Sequence, residues 1–128
     1  METIDYFCGE DWKGFLTPPK FRIVYSDEVI TFLMSLEGKA RVKVLFNMNK
    51  SKYVTDETLF RKLSGTDIWE FRTLYARIHY RIYAFWDTEK KTVVTTHGII
   101  KKGQKTPLKE IIRAEIIKQQ YYNAAKQS

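Results

Sequence analysis

Five side chains near the middle of the chain have types and spacing suited to chemistry: Arg72, Arg77, His79, Arg81 and Tyr83. In RIHYRIYAFW, residues 77 to 86, period-two alternation sets Ile78, Tyr80, Ile82 and Ala84 against Arg77, His79, Arg81 and Tyr83. In IWEFRTLY, residues 68 to 75, Trp69 and Phe71 oppose Glu70 and Arg72. Guanidinium groups on adjacent strands can clamp a phosphate through paired charge-assisted hydrogen bonds, and interleaved rings offer stacking surfaces for bases. Single-stranded RNA fits this pattern better than duplex DNA. The bland alternative pairs Arg72 and Arg81 with Glu70 and Asp87 on an exposed sheet surface.

A second constellation is HGIIKKGQKTP, residues 97 to 107. It brings His97, Lys101, Lys102 and Lys105 to the end of a strand, just before a helix start whose free amide groups can attract an anion. A solvated loop with ordinary lysines is the competing reading. The two histidines, His79 and His97, are too few for a metal cluster, and no carboxylate pair stands in register to hold magnesium, so no metal or cofactor is expected. RNA offers a metal-free route instead. A base activates the 2′-hydroxyl, a cation neutralises the phosphorane, and an acid protonates the leaving 5′-oxygen. Histidine suits the acid or base role because its ordinary pKa lies near neutrality. Walker and Rossmann glycine patterns are absent, and Cys8 has no recognisable triad context.

The elements that must position these groups follow from pattern and punctuation. FRIVYS, residues 21 to 26, reads as a short strand stopped by the helix-entry pair Ser26 and Asp27. Val29, Leu33, Leu36, Ala40 and Val44 form a helical stripe, which Gly38 divides into helices over 27 to 36 and 39 to 49. The polar run that follows, through LFRKLS to Gly65, reads as loop and turn. Residues 68 to 75, 77 to 86 and 92 to 97 read as three strands joined by short connections, hence antiparallel hairpins. Thr106 and Pro107 open a final helix, 107 to about 123, with Leu108, Ile111, Ile112 and Ile116 at helical spacing. The expected fold class is α+β: a mainly antiparallel sheet of about four strands, two N-terminal helices and a C-terminal helix. One sheet face should carry the helices and the other should stand open, polar and basic. TVVTTH alternates too weakly to orient His97.

Length and charge agree with one such unit. At 128 residues the chain fits a single core, with residues 1 to 20 an acidic extension and 21 to 128 one domain. Of 22 basic and 15 acidic residues, 12 basic and five acidic lie between Arg61 and Arg113, so that block carries the whole net charge of +7. A polyanion partner is the leading expectation. No run approaches the roughly 20 apolar residues of a membrane span, and METIDYF lacks a signal-peptide core. The single cysteine precludes an internal disulfide. A cytoplasmic protein that does not engage membranes is expected.

The order strand, helix pair, three antiparallel strands and terminal helix resembles the RelE/ParE superfamily of toxins. FRKLSGTDIWEFR, HYRIYAFW and HGIIKKGQKTP are similar to its phage Gp49-like, HigB-type branch. The resemblance covers about residues 21 to 118. It implies the toxin component of a type II toxin-antitoxin system: a ribosome-dependent messenger RNA endoribonuclease, without metal, neutralised by a helix-turn-helix antitoxin. By position, Arg81 after Tyr80 matches the family's phosphate-contacting arginine, and Arg72 its basic residue on the preceding strand. His97 with Lys101 and Lys102 falls at the branch's histidine and basic pair. The resemblance therefore implies Arg72, Arg81 and His97, or failing that His79, as the catalytic set, with Arg77, Tyr83, Lys101, Lys102 and Lys105 binding RNA. Ile68 and Glu70 stand where RelE proper has lysines, so its acid/base assignment does not transfer. Some relatives poison gyrase without cutting RNA, which keeps open a gyrase inhibitor, or a phage-derived RNA-binding protein, as the alternative.

Overall fold

The structure is a computed structural model that describes residues 2–4, 17–101, 103 and 105–127. Strand β1 (Glu2–Ile4) is followed by β2 (Arg22–Ser26), α1 (Asp27–Ser35), α2 (Gly38–Ser51), β3 (Phe60–Lys62), β4 (Trp69–Tyr75), β5 (Ile78–Asp87), β6 (Thr92–Lys101) and α3 (Leu108–Gln127). The six strands form one sheet in the order β1-β2-β6-β5-β4-β3, antiparallel throughout except for β2 beside β6. The α+β class is as expected, and the two strands beyond the expected four are the edges. Each edge strand is only three residues long, too short for alternation to declare it. β3 is anchored by Phe60, whose ring stacks on Phe71 at 4.3 Å and Trp69 at 4.8 Å.

Local chemistry fixes the helix ends. The Ser26 hydroxyl accepts the Val29 amide at 3.2 Å, and Asp27 and Glu28 sit in the first turn of α1, where the helix dipole favours negative charge. The break before α2 lies at Leu36, which turns extended, and at Glu37, whose carboxylate caps the Lys39 amide. Gly38 is therefore the first residue of α2 rather than the divider. The β4–β5 hairpin turns through Ala76 and Arg77, both with positive φ (50° and 66°). This left-handed pair matches the twist of a two-residue hairpin, at a cost of about 1–2 kcal/mol per non-glycine residue. Arg77 thus belongs to the turn and not to the strand.

Two cores flank the sheet. On one face Ile23, Tyr80, Ile82, Ala84 and Val93 pack with Val29, Leu33, Ala40, Val44 and Met48 of α1 and α2. Each buried Val, Leu, Ile or Met side chain here contributes about 1.5–3 kcal/mol of transfer free energy. Gly98 permits close approach here, because a Cβ at that position would lie 2.4 Å from the Phe32 ring. On the other face a smaller core joins Leu63, Ile68, Tyr83, Phe85 and Val94 to Ala114 of α3, with Ile111, Tyr121 and Tyr122 against it. That face is thus not open along its length: α3 roofs the end bearing Tyr83 and Phe85. The stripe expected to pack α3 is largely turned outward, with Leu108, Ile112 and Ile116 exposed. The helix packs through Ile111, Ala114, Tyr121 and Tyr122 and is also held by polar ties, including Tyr121 Oη to Asp87 Oδ2 at 2.9 Å and Tyr122 Oη to the Trp86 carbonyl at 3.1 Å.

Candidate nucleic-acid interface

Strand alternation delivers Glu70, Arg72 and Leu74 of β4 to the same face as His79, Arg81 and Tyr83 of β5. The register sets Arg72 directly across from Arg81, Leu74 across from His79, and Glu70 between Tyr83 on one side and Arg61 of β3 on the other. β6 completes the row, with Lys101 opposite His79. Four cations, Arg61, Arg72, Arg81 and Lys101, gather around a single carboxylate.

Glu70 is fully buried and lies at their centre. Its Oε1 is 3.2 Å from Arg72 Nε, 3.5 Å from Arg81 Nε and 3.6 Å from Arg61 Nε. Its Oε2 accepts a hydrogen bond from the Thr106 hydroxyl at 3.0 Å, from the segment entering α3. Arg72 Nη1 donates to the Glu57 carbonyl at 3.2 Å, and Arg81 Nη2 approaches His79 Nδ1 at 3.4 Å. Since a guanidinium can only donate, Nδ1 is the acceptor and the ring proton sits on Nε2. Thr58, Arg72, Thr73, Leu74, His79 and Arg81 line a recess of about 330 Å³.

The electrostatics follow from crowding. His79 is held below its ordinary pKa of 6.5 by partial desolvation and by Arg81, Lys101 and Arg72, so it is neutral at pH 7. Burial, then Arg81, also lowers the Lys101 pKa, and burial lowers that of Arg81 while Glu70 opposes the shift. An imidazole, a lysine ammonium and two guanidinium groups side by side are the types of group that can accept a proton, donate one and neutralise a phosphate.

Of the expected site residues, the fold brings together Arg72, His79, Arg81 and Lys101. Arg77 is exposed at the hairpin turn and Lys105 is exposed before α3. Lys102 lies outside the described residues. His97 and Tyr83 are corrected. Both are fully buried, and their rings lie 5.0 Å apart beneath α3. His97 Nε2 faces Glu110 Oε1 at 3.1 Å and Nδ1 faces Thr96 Oγ1 at 3.0 Å. Burial lowers the His97 pKa, the Glu110 hydrogen bond opposes that, and burial together with Glu70 raises the Tyr83 hydroxyl. Both lie beneath α3 and outside the recess that Arg72, His79 and Arg81 line, so His97 does not face a bound strand there and Tyr83 does not face a base. Their place is under the site, fastening α3. The register change between Ile82 and Ala84 explains the orientation: Val94 and His97, three residues apart, face α3 together because β6 carries an extra residue there.

Sequence reasoning missed Arg61 and Thr106, and considered Glu70 only as an ion-pair partner. Glu70 had a usable signal, being in phase with Arg72 two residues on. Arg61 lay in a stretch read as loop, and Thr106 was absorbed by its role at the helix start. Asp87, the other expected arginine partner, accepts from Tyr121 instead. Among the described residues no group of three or more His, Cys, Asp or Glu side chains is placed to hold a metal ion, and no helix is long and apolar enough to cross a membrane.

A family model described as phage-derived protein Gp49-like (DUF891) matches residues 31–119. That span runs from α1 into α3 and contains every cation of the row. No curated protein and no solved structure matches the chain.

Proposed function

Because the chain belongs to the Gp49-like family of phage-derived proteins, the branch its motifs resemble, we propose that it is the toxin of a type II toxin-antitoxin system and cleaves messenger RNA on the ribosome. The observation that carries this reading is the recess in which Arg72 and Arg81 stand directly opposite one another beside a neutral His79.

A single RNA strand runs along the row from Arg61 to Lys101, with one phosphate over the Arg72 and Arg81 pair. His79 Nδ1, released as Arg81 Nη2 turns from it to the phosphate, takes the proton of the 2′-hydroxyl, and the 2′-oxygen attacks phosphorus. Arg72 and Arg81 neutralise the charge that builds on the phosphoryl oxygens, a role in which removing one preorganised donor costs about 10²- to 10³-fold in rate. The bond to the 5′-oxygen breaks, and Lys101, facing His79 across the strand pair, supplies its proton. The products are a 2′,3′-cyclic phosphate and a 5′-hydroxyl. Arg77 and Lys105 hold flanking phosphates, and a helix-turn-helix antitoxin neutralises the protein in the cytoplasm.

The test is induction in growing cells with transcriptome-wide mapping of RNA ends, alongside a measure of chromosome integrity. Cleavage ends within translated codons, arrested growth and intact DNA are expected. DNA breaks with intact messages, or unimpaired growth, would overturn the reading.

A further inference from the structure

A carboxylate at the centre of a site for a polyanion needs an explanation, since it weakens attraction for phosphate. Arg72 and Arg81 stand directly opposite one another on adjacent strands, an arrangement in which like charges repel. Glu70 offsets that repulsion. It meets all three guanidinium groups through Nε, the inner edge, at 3.2–3.6 Å. These are charge contacts without hydrogen-bond geometry. Arg72 Nη1 is turned toward the Glu57 carbonyl and Arg81 Nη2 toward His79 Nδ1, so the carboxylate draws the guanidinium groups together while the Nη atoms, the fork that matches two phosphate oxygens, lie toward the recess. Thr106 fixes the other carboxylate oxygen, so the orientation of the cluster is set from the segment that starts α3 as well as from the sheet.

We infer that Glu70 is a positioning residue, one that aims Arg61, Arg72 and Arg81 at the scissile phosphate and its neighbours without touching RNA itself. The inference rests on the proposed cleavage. Its signature is a split between turnover and binding. A residue present only to dilute positive charge would, when neutralised, leave kcat unchanged and tighten RNA binding. A residue present only to stabilise the fold would lower the melting temperature and leave the kinetics of the folded fraction alone. A positioning residue gives the opposite of the first pattern in kcat while sharing its effect on KM.

The experiment measures kcat and KM for cleavage of message on translating ribosomes by the wild-type protein, Glu70→Gln and Thr106→Val, with folding checked by circular dichroism. Glu70→Gln keeps the shape and removes the charge. A kcat lower by about 10- to 100-fold with KM equal or lower is expected, and Thr106→Val, which keeps the charge and removes its anchor together with the Thr106 contact to Tyr83, should show a smaller loss in the same direction. Should Glu70→Gln fail to fold, Thr106→Val decides alone. Unchanged kcat in the folded variants would overturn the inference. An inactive wild-type protein would overturn the cleavage reading instead, so the two failures are distinct.

Discussion

The two faces of the sheet are built from the same strands by the same alternation, yet they solve different problems. The face under α1 and α2 buries chiefly aliphatic and aromatic groups against two capped helices, with one buried polar pair, Asn47 Nδ2 donating to Thr73 Oγ1 at 3.1 Å. The face under α3 buries Glu70, Arg81, Tyr83 and His97, each of which costs free energy to desolvate unless partnered. Its helix and the segment entering it are tied down through Thr106, Glu110, Tyr121 and Tyr122. One face holds the fold together, and the other uses that rigidity to keep like charges at close quarters. Arg81 and Ile82 are chain neighbours on opposite faces, so substituting each separates the two roles.

The largest effect is expected from Arg81→Ala. Cleavage of ribosome-bound message should fall by about 10²- to 10³-fold, and toxicity should vanish, while circular dichroism and antitoxin binding stay those of the wild type. An equally toxic variant would break the comparison. Ile82→Ala should do the converse. Stability measured by denaturant should drop by about 2–5 kcal/mol, with cleavage per folded molecule retained.

A smaller effect, again confined to the α3 face, is expected from pH. The folded-state pKa of His97 is depressed by burial, with Glu110 and Glu28 raising it and Arg113 lowering it. A histidine whose pKa falls on folding contributes stability that is complete above its unfolded value of 6.5 and is lost as pH falls through the folded one. Melting temperature should therefore decline as pH is lowered below 6.5, with a limiting slope of about 1.4 kcal/mol per pH unit for one proton. His97→Gln should make the decline shallower, leaving the part due to His79, whose pKa is also lowered. The smallest effect belongs to Lys43→Glu on the exposed side of α2, where the ammonium lies 5.6 Å from the Phe46 ring centroid. Stability should change by less than about 0.5 kcal/mol and affinity for a short single-stranded RNA very little. A large loss of RNA affinity would place part of the binding surface on the wrong face.

The helix-side face was legible in the sequence because alternation along β5 and the stripe Val29, Leu33, Ala40 and Val44 point to one another. Most of the arginine row was legible for the same reason: Arg72 and Arg81 fall in phase on strands that a short turn joins. What escaped is what alternation does not encode. β1 and β3 are each shorter than the pattern needs, so Arg61 went unseen as a member of the row. The face that His97 occupies was not legible, because TVVTTH alternates weakly and the β6 irregularity shifts its phase. The roof over Tyr83 was hidden because α3 docks through Ile111, Ala114, Tyr121 and Tyr122, while its conspicuous apolar residues Leu108, Ile112 and Ile116 face solvent. Burial of a polar face is a tertiary fact, decided by an element some 20–40 residues further along the chain.

The central claim is that this basic recess breaks RNA through the strand's own 2′-hydroxyl. Its most direct test is the chemical identity of the new ends when the purified protein acts on message bound to translating ribosomes. A 2′,3′-cyclic phosphate opposite a 5′-hydroxyl is predicted, with no cut where the scissile nucleotide carries a 2′-deoxy substitution. A 3′-hydroxyl opposite a 5′-phosphate, or cleavage that persists at the deoxy position, would contradict it.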